Sequence, residues 1–136
     1  MKACILSVST ALMIIFLAFP GTPAFAQTGS LRVTEAEICR DVAHHACLEA
    51  GNIFKSSVGK LYCLTTIKGA GAPTEVAHVW YFDGKEQARI KLNVRSPIWR
   101  TYSAKEIRPS QAGDWRVDVK GPAGETLKTL DFKVIP

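Results

Sequence analysis

Glu75-Val76-Ala77-His78-Val79-Trp80-Tyr81-Phe82-Asp83-Gly84, followed closely by Gln87-Ala88-Arg89-Ile90-Lys91-Leu92-Asn93-Val94, is the stretch that decides the fold. In its second half Ala88, Ile90, Leu92 and Val94 alternate with Gln87, Arg89, Lys91 and Asn93. Successive side chains of a strand point to opposite faces, so this is a strand with one buried face. Asp83-Gly84 is the dipeptide of a tight reversal, and the whole reads as a β-hairpin. Its register is open. A two-residue turn at Asp83-Gly84 sets His78 opposite Arg89 and Trp80 opposite Gln87, on the polar side. A three-residue loop beginning at Phe82 turns Trp80 to the side of Ala88 and sets His78 opposite that alanine. One residue of slip reverses every side chain.

Working outward, the chain divides into further strand-like segments. Residues 33–42 come first, 61–68 second and 75–82 third; the alternating run is fourth, 98–103 fifth. The sixth carries Trp115, Val117 and Val119 against Asp114, Arg116, Asp118 and Lys120, and the seventh carries Leu130, Phe132 and Val134. Gly69-Ala70-Gly71-Ala72-Pro73 and Gly121-Pro122-Ala123-Gly124 supply loops between them. Short strands at this spacing, with no sustained helical period, predict an all-β fold. The expected architecture is an immunoglobulin-like antiparallel two-sheet β-sandwich of about seven strands. The third strand of such a sandwich commonly carries a core tryptophan, which favours burial of Trp80. Residues 44–59 stand apart as a long loop, with a short helix expected around Ala46 to Ala50.

The N-terminal part has a different character. Lys2 precedes an apolar run from Ala11 to Phe19, then Pro20-Gly21 and the small-residue site Ala24-Phe25-Ala26. This is the pattern of a secretory signal peptide over residues 1–26, with an apolar run shorter than the roughly 20 residues of a bilayer span. Residues 27–32 read as a flexible lead-in and 33–136 as one domain, of the usual single-domain size. A periplasmic or secreted protein with no membrane association after cleavage is expected. The formal charge of +5 falls to +4 without Lys2, and its cations form no run. Nucleic-acid binding is therefore not expected.

Several phrases occur in a recognisable order: Ala36, Cys39 and Val42; Ser57-Val58-Gly59-Lys60-Leu61-Tyr62-Cys63-Leu64-Thr65; His78-Val79-Trp80-Tyr81-Phe82; Trp99-Arg100-Thr101-Tyr102-Ser103-Ala104-Lys105; and Gly113-Asp114-Trp115-Arg116-Val117-Asp118-Val119. Together they resemble the bacterial family called domain of unknown function 2914, over about residues 33–134. The resemblance implies a small β-rich domain and brings no catalytic residues with it. Where the family pattern leads one to expect a segment like Arg-Glu-Pro-Val, this chain has His44-His45-Ala46-Cys47, which marks its loop as specialised.

Chemistry is sparse. Of four cysteines, Cys4 lies in the leader, and Cys39, Cys47 and Cys63 remain in an oxidising setting. Cys39 with Cys47 is the favoured disulfide, closing a short loop; Cys39 with Cys63 is the other pairing of interest, and free buried thiols a third outcome. Cys39, His44, His45 and Cys47 could instead offer soft and borderline ligands to Zn or Cu, an unfavoured alternative because adjacent histidines point different ways. Ser103 or Cys63 with His78 is the one conceivable nucleophile and base, and no motif supports it. Asp114 and Asp118 share a strand face but stand roughly 13 Å apart, too far for a carboxylate pair. No enzyme activity and no cofactor are expected.

The aromatic phrases carry the remaining functional signal. Ile98, Arg100 and Tyr102 share one strand face, Trp99, Thr101 and Ser103 the other. Arg100 is expected to stack on an aromatic ring or pair with an acid. Arg100, Tyr102, Lys105 and Arg89 are the expected ligand-binding residues of a binding or scaffolding module for a protein or glycan of the cell envelope. The alternative is a metal- or redox-linked periplasmic protein using the loop from Cys39 to Cys47.

Overall fold

The computed structural model describes residues 30–136; the expected leader and residues 27–29 of the expected lead-in lie outside them, and Arg32, placed in the lead-in, already belongs to the first strand. Nine strands follow one another: β1 (Arg32–Ala43), β2 (Ala46–Ala50), β3 (Ile53–Lys55), β4 (Lys60–Lys68), β5 (Thr74–Phe82), β6 (Lys85–Val94), β7 (Ile98–Glu106), β8 (Gly113–Lys120) and β9 (Thr126–Ile135), with one 3-10 turn at Ser56–Val58. They form a four-stranded sheet in the order β2-β1-β4-β7 and a five-stranded sheet in the order β3-β9-β8-β5-β6. Taking β1, β4 and β7 as A, B and E, and β9, β8, β5 and β6 as G, F, C and C′, this is the immunoglobulin arrangement.

All seven expected segments are strands. The difference lies in 44–59, which holds β2 and β3 where a loop with a helical turn was expected. Ala46-Cys47-Leu48-Glu49-Ala50 is rich in helix formers, but propensity is a weak prior that pairing with β1 overrides here. β3 then pairs with β9 in parallel, the one parallel ladder of the described residues.

The hairpin that opened the question resolves in an unexpected way. Asp83 (φ 48°) and Gly84 (φ 77°) both have left-handed backbones, the signature of a tight type I′ turn. That turn alone would put Trp80 on the polar side. Yet Tyr81 pairs with Glu86 while Trp80 pairs with Ala88, so Gln87 is an extra residue, a β-bulge. The bulge shifts the register once more, and Trp80 and His78, now opposite Ala88 and Ile90, turn inward.

Two apolar clusters fill the sandwich. Around Trp80 gather Phe132, Trp115, Leu61, Cys63 and Val117, with Trp115 stacked on Phe132 at 6.0 Å and Trp80 edge-on to it at 6.2 Å. The second cluster gathers Ile67, Val76, Val94 and Val119, with Trp99 packed against it. Leu130 touches both. All three tryptophans therefore serve the core in whole or part.

Candidate functional site

Between the two clusters runs a buried polar belt. Along β5 the order is Val76, His78, Trp80, and along β4 it is Ile67, Thr65, Cys63, so His78 and Thr65 sit where the apolar groups meet. His78 Nδ1 lies 2.7 Å from Ser103 Oγ, and His78 Nε2 lies 3.0 Å from Thr65 Oγ1. The indole Nε1–H of Trp80 donates to Ser103 Oγ at 3.1 Å, and Thr65 Oγ1 donates to the Thr101 carbonyl at 3.4 Å. A neutral imidazole protonated on Nε2 completes the belt: Trp80 donates to Ser103, Ser103 to Nδ1, Nε2–H to Thr65, and Thr65 to Thr101. Burial pulls the His78 pKa down to about 4, since a buried cation is costly.

The histidine and serine named from sequence as a conceivable catalytic pair are thus in contact, but sealed. His78 is fully buried and Ser103 nearly so. Cys63, fully buried in the Trp80 cluster, has its thiol pushed up to about 12 by the same desolvation, opposite to what a nucleophile needs. His78, Ser103, Trp80 and Thr65 satisfy one another in the buried interior, and Cys63 packs as an apolar side chain beside them.

The exposed chemistry lies on the outer face of β1, β4 and β7. Thr66 pairs with Glu35 on one side and Arg100 on the other, which sets those three side chains in a row. Arg100 donates to a Glu35 carboxylate oxygen at 3.3 Å and to the His45 carbonyl at 3.2 Å, with its side chain still 47% exposed. Tyr102 lies next on the same face and meets Tyr62 edge-on at 6.1 Å. A depression of about 250 Å³ opens here, lined by Arg95, Trp99, Arg100, Tyr102, His45 and neighbours.

His45 reaches Arg100 because the β1-β2 hairpin is folded back. Cys39 and Cys47 form a disulfide with Cα atoms 5.7 Å apart, although in the ladder Cys39 faces Ala50 and Cys47 faces Val42. Three residues along a flat strand would span roughly 10 Å. The hairpin is therefore bent, and Glu49 (φ 54°) takes a left-handed backbone within it. At its tip His44 (φ 51°) and His45 (φ 57°) form a type I′ turn without glycine. The expected disulfide is present. The alternative metal set is not assembled: the sulfurs of Cys39 and Cys47 are bonded to each other, and among the described residues no cluster of three ligating groups occurs.

Of the four expected binding residues, Arg100 and Tyr102 stand together. Lys105 falls on the inward side of β7, opposite Leu61, and Arg89 lies on the outer face of the other sheet, paired with Glu86 at 2.8 Å. The four do not form one patch, because Lys105 differs from Arg100 by an odd number of residues and Arg89 belongs to the opposite layer. Sequence reading missed Glu35, Tyr62 and the His45 carbonyl, whose nearness needs the β4 pairing and the folded hairpin. Arg100 pairs with an acid, Glu35, one of the two partners expected for it, while the arginine over an aromatic ring is Arg116, 4.2 Å from the centre of Tyr81.

Residues 73–134 match the family described as "Protein of unknown function (DUF2914)". The resemblance read from the aromatic phrases holds for that part; the phrases around Cys39 and Cys63 fall outside the match. None of the curated proteins matches this chain. Among solved structures, a β-glucosidase from Kluyveromyces marxianus is similar with TM-score 0.45 and 12% identity, over 78% of this chain and 14% of that one. A β-D-glucoside glucohydrolase from Trichoderma reesei is similar with TM-score 0.40 and 14% identity, over 77% of this chain and 19% of that one. This chain thus spans less than a fifth of either protein. No helix among the described residues is long and apolar enough to cross a membrane, and the disulfide is compatible with an extracellular or periplasmic location.

Proposed function

We propose that the protein is an exported, non-enzymatic β-sandwich that binds a protein or glycan of the cell envelope through the outer face at Arg100. The observation that carries this reading is the half-exposed Arg100 guanidinium, held by Glu35 and by the carbonyl of a disulfide-pinned hairpin, next to Tyr102. An arginine fixed in place loses little side-chain freedom on binding, and its fork and the neighbouring ring suit carboxylates and sugar or peptide planes. The burial of His78, Ser103 and Cys63 supports a role without catalysis. The test is retention of the purified protein on peptidoglycan and on immobilised envelope proteins. Retention that Arg100→Ala lowers about tenfold or more supports the proposal, and full retention by that variant, or none by the wild type, removes it.

A further inference from the structure

On the opposite side of the sandwich from β7, two strand edges lie open. The chain between β2 and β3 changes sheets at Gly51-Asn52: Gly51 N–H donates to the Ile38 carbonyl at 3.0 Å, and the Asn52 carbonyl accepts from Lys133 N–H at 2.8 Å. Backbone groups of alternate strand residues point to the same side, so those of Ala36 follow Ile38, and those of Thr129 and Asp131 follow Lys133. β2 pairs with β1 only from Cys39 onward, and β3 with β9 only from Lys133 onward. Among the described residues no strand pairs with Ala36, Thr129 or Asp131 on that side. A groove of about 470 Å³ separates the two open edges.

The floor of the groove has its own chemistry. Leu130, half-buried at the seam of the two core clusters, presents apolar surface. Lys128 shares its face by strand parity, is exposed, and makes no ion pair among the described residues. A lysine turned inward on an open edge deters indiscriminate strand pairing, because an incoming strand must bury or neutralise it. It also states what a specific strand should carry.

We infer that the free edge of β9 accepts an extended segment of a partner protein as an added strand, with an apolar side chain against Leu130 and an acidic one, two residues away, against Lys128. The outward backbone groups of Thr129 and Asp131 supply the hydrogen bonds and the two side chains the selectivity, the division of labour of strand addition. The added strand continues what Asn52 already does at Lys133.

A library of random seven-residue peptides displayed on phage and selected on the purified protein tests this. The expected enrichment is an apolar and an acidic residue at alternate positions, and a synthetic peptide of that consensus should slow hydrogen exchange at the Thr129 and Asp131 amides. Asp131→Pro removes an outward N–H that an edge strand can spare, and should weaken the peptide tenfold or more. Lys128→Glu should exchange the selected acid for Lys or Arg. Absence of enrichment, unaltered exchange at both amides, or selection unchanged by Lys128→Glu would overturn the inference, whether or not Asp131→Pro folds.

Discussion

Trp80 and Ser103, on strands of opposite sheets, are joined across the middle of the sandwich by a hydrogen bond from the indole N–H to the serine hydroxyl at 3.1 Å. The same hydroxyl meets His78 at 2.7 Å, so one small side chain satisfies two large buried ones. Ser103→Ala should therefore cost about 2 to 4 kcal/mol, far above the loss of one ordinary hydrogen bond, because it orphans a donor and an acceptor in the dry interior. The shift of the urea midpoint measures it; a loss below about 1 kcal/mol would mean that water replaces the hydroxyl.

His78 should make stability depend on pH in a defined window. The folded protein holds the imidazole neutral down to about pH 4, whereas the unfolded chain protonates near the ordinary histidine value of 6.5. Above pH 6.5 neither state is charged and its contribution is complete; as pH falls toward 4 the unfolded state gains the proton first and stability drops. The total loss is about 3 kcal/mol. Melting temperature against pH should show this slope in the wild type and lose it in His78→Asn, beneath the common titration of the carboxylates.

The bulge at Gln87 makes a prediction that ordinary strand logic would reverse. Deleting one residue from a strand normally turns its core face to solvent. Deleting Gln87 should not, since it leaves Trp80 opposite Ala88 and Tyr81 opposite Glu86 in one continuous register. The deletion variant should melt cooperatively within a few degrees of wild type. Gly84→Ala, at φ 77°, should cost about 1 kcal/mol despite the open space around it, through left-handed strain alone.

Much of the fold was legible because one alternating run, one Asp-Gly turn and repeated aromatic phrases all point to half-buried antiparallel strands. Burial of Trp80, expected from its place on the third strand, is found, but the register that produces it was not legible. The turn read from Asp83-Gly84 is the tight one, and it would have exposed Trp80; the residue that corrects it, Gln87, carries no sequence sign of a bulge. Residues 46–50 misled for another reason, since their helical propensity is local while the β1 pairing and the disulfide that override it come from elsewhere in the chain. Arg100 and Tyr102 were found by face parity, but parity cannot place Glu35 or His45, which approach only through register with β4 and the folded hairpin.

Cysteine chemistry should separate into two behaviours on one molecule. Reduction should raise the intact mass by two hydrogens as the Cys39–Cys47 bond opens, with Cys63 contributing nothing. Iodoacetamide should leave Cys63 unmodified in the native protein and modify it on denaturation, because burial both shields the thiol and holds its pKa near 12. Cys47→Ser should destabilise by about 2 to 3 kcal/mol, the chain-entropy cost of releasing a short loop. It should also loosen the hairpin tip from Arg100, seen as faster hydrogen exchange at the amides of residues 44–48. If the variant keeps wild-type exchange there, the β1-β2 ladder and the Arg100 bond to His45 hold the hairpin without the disulfide.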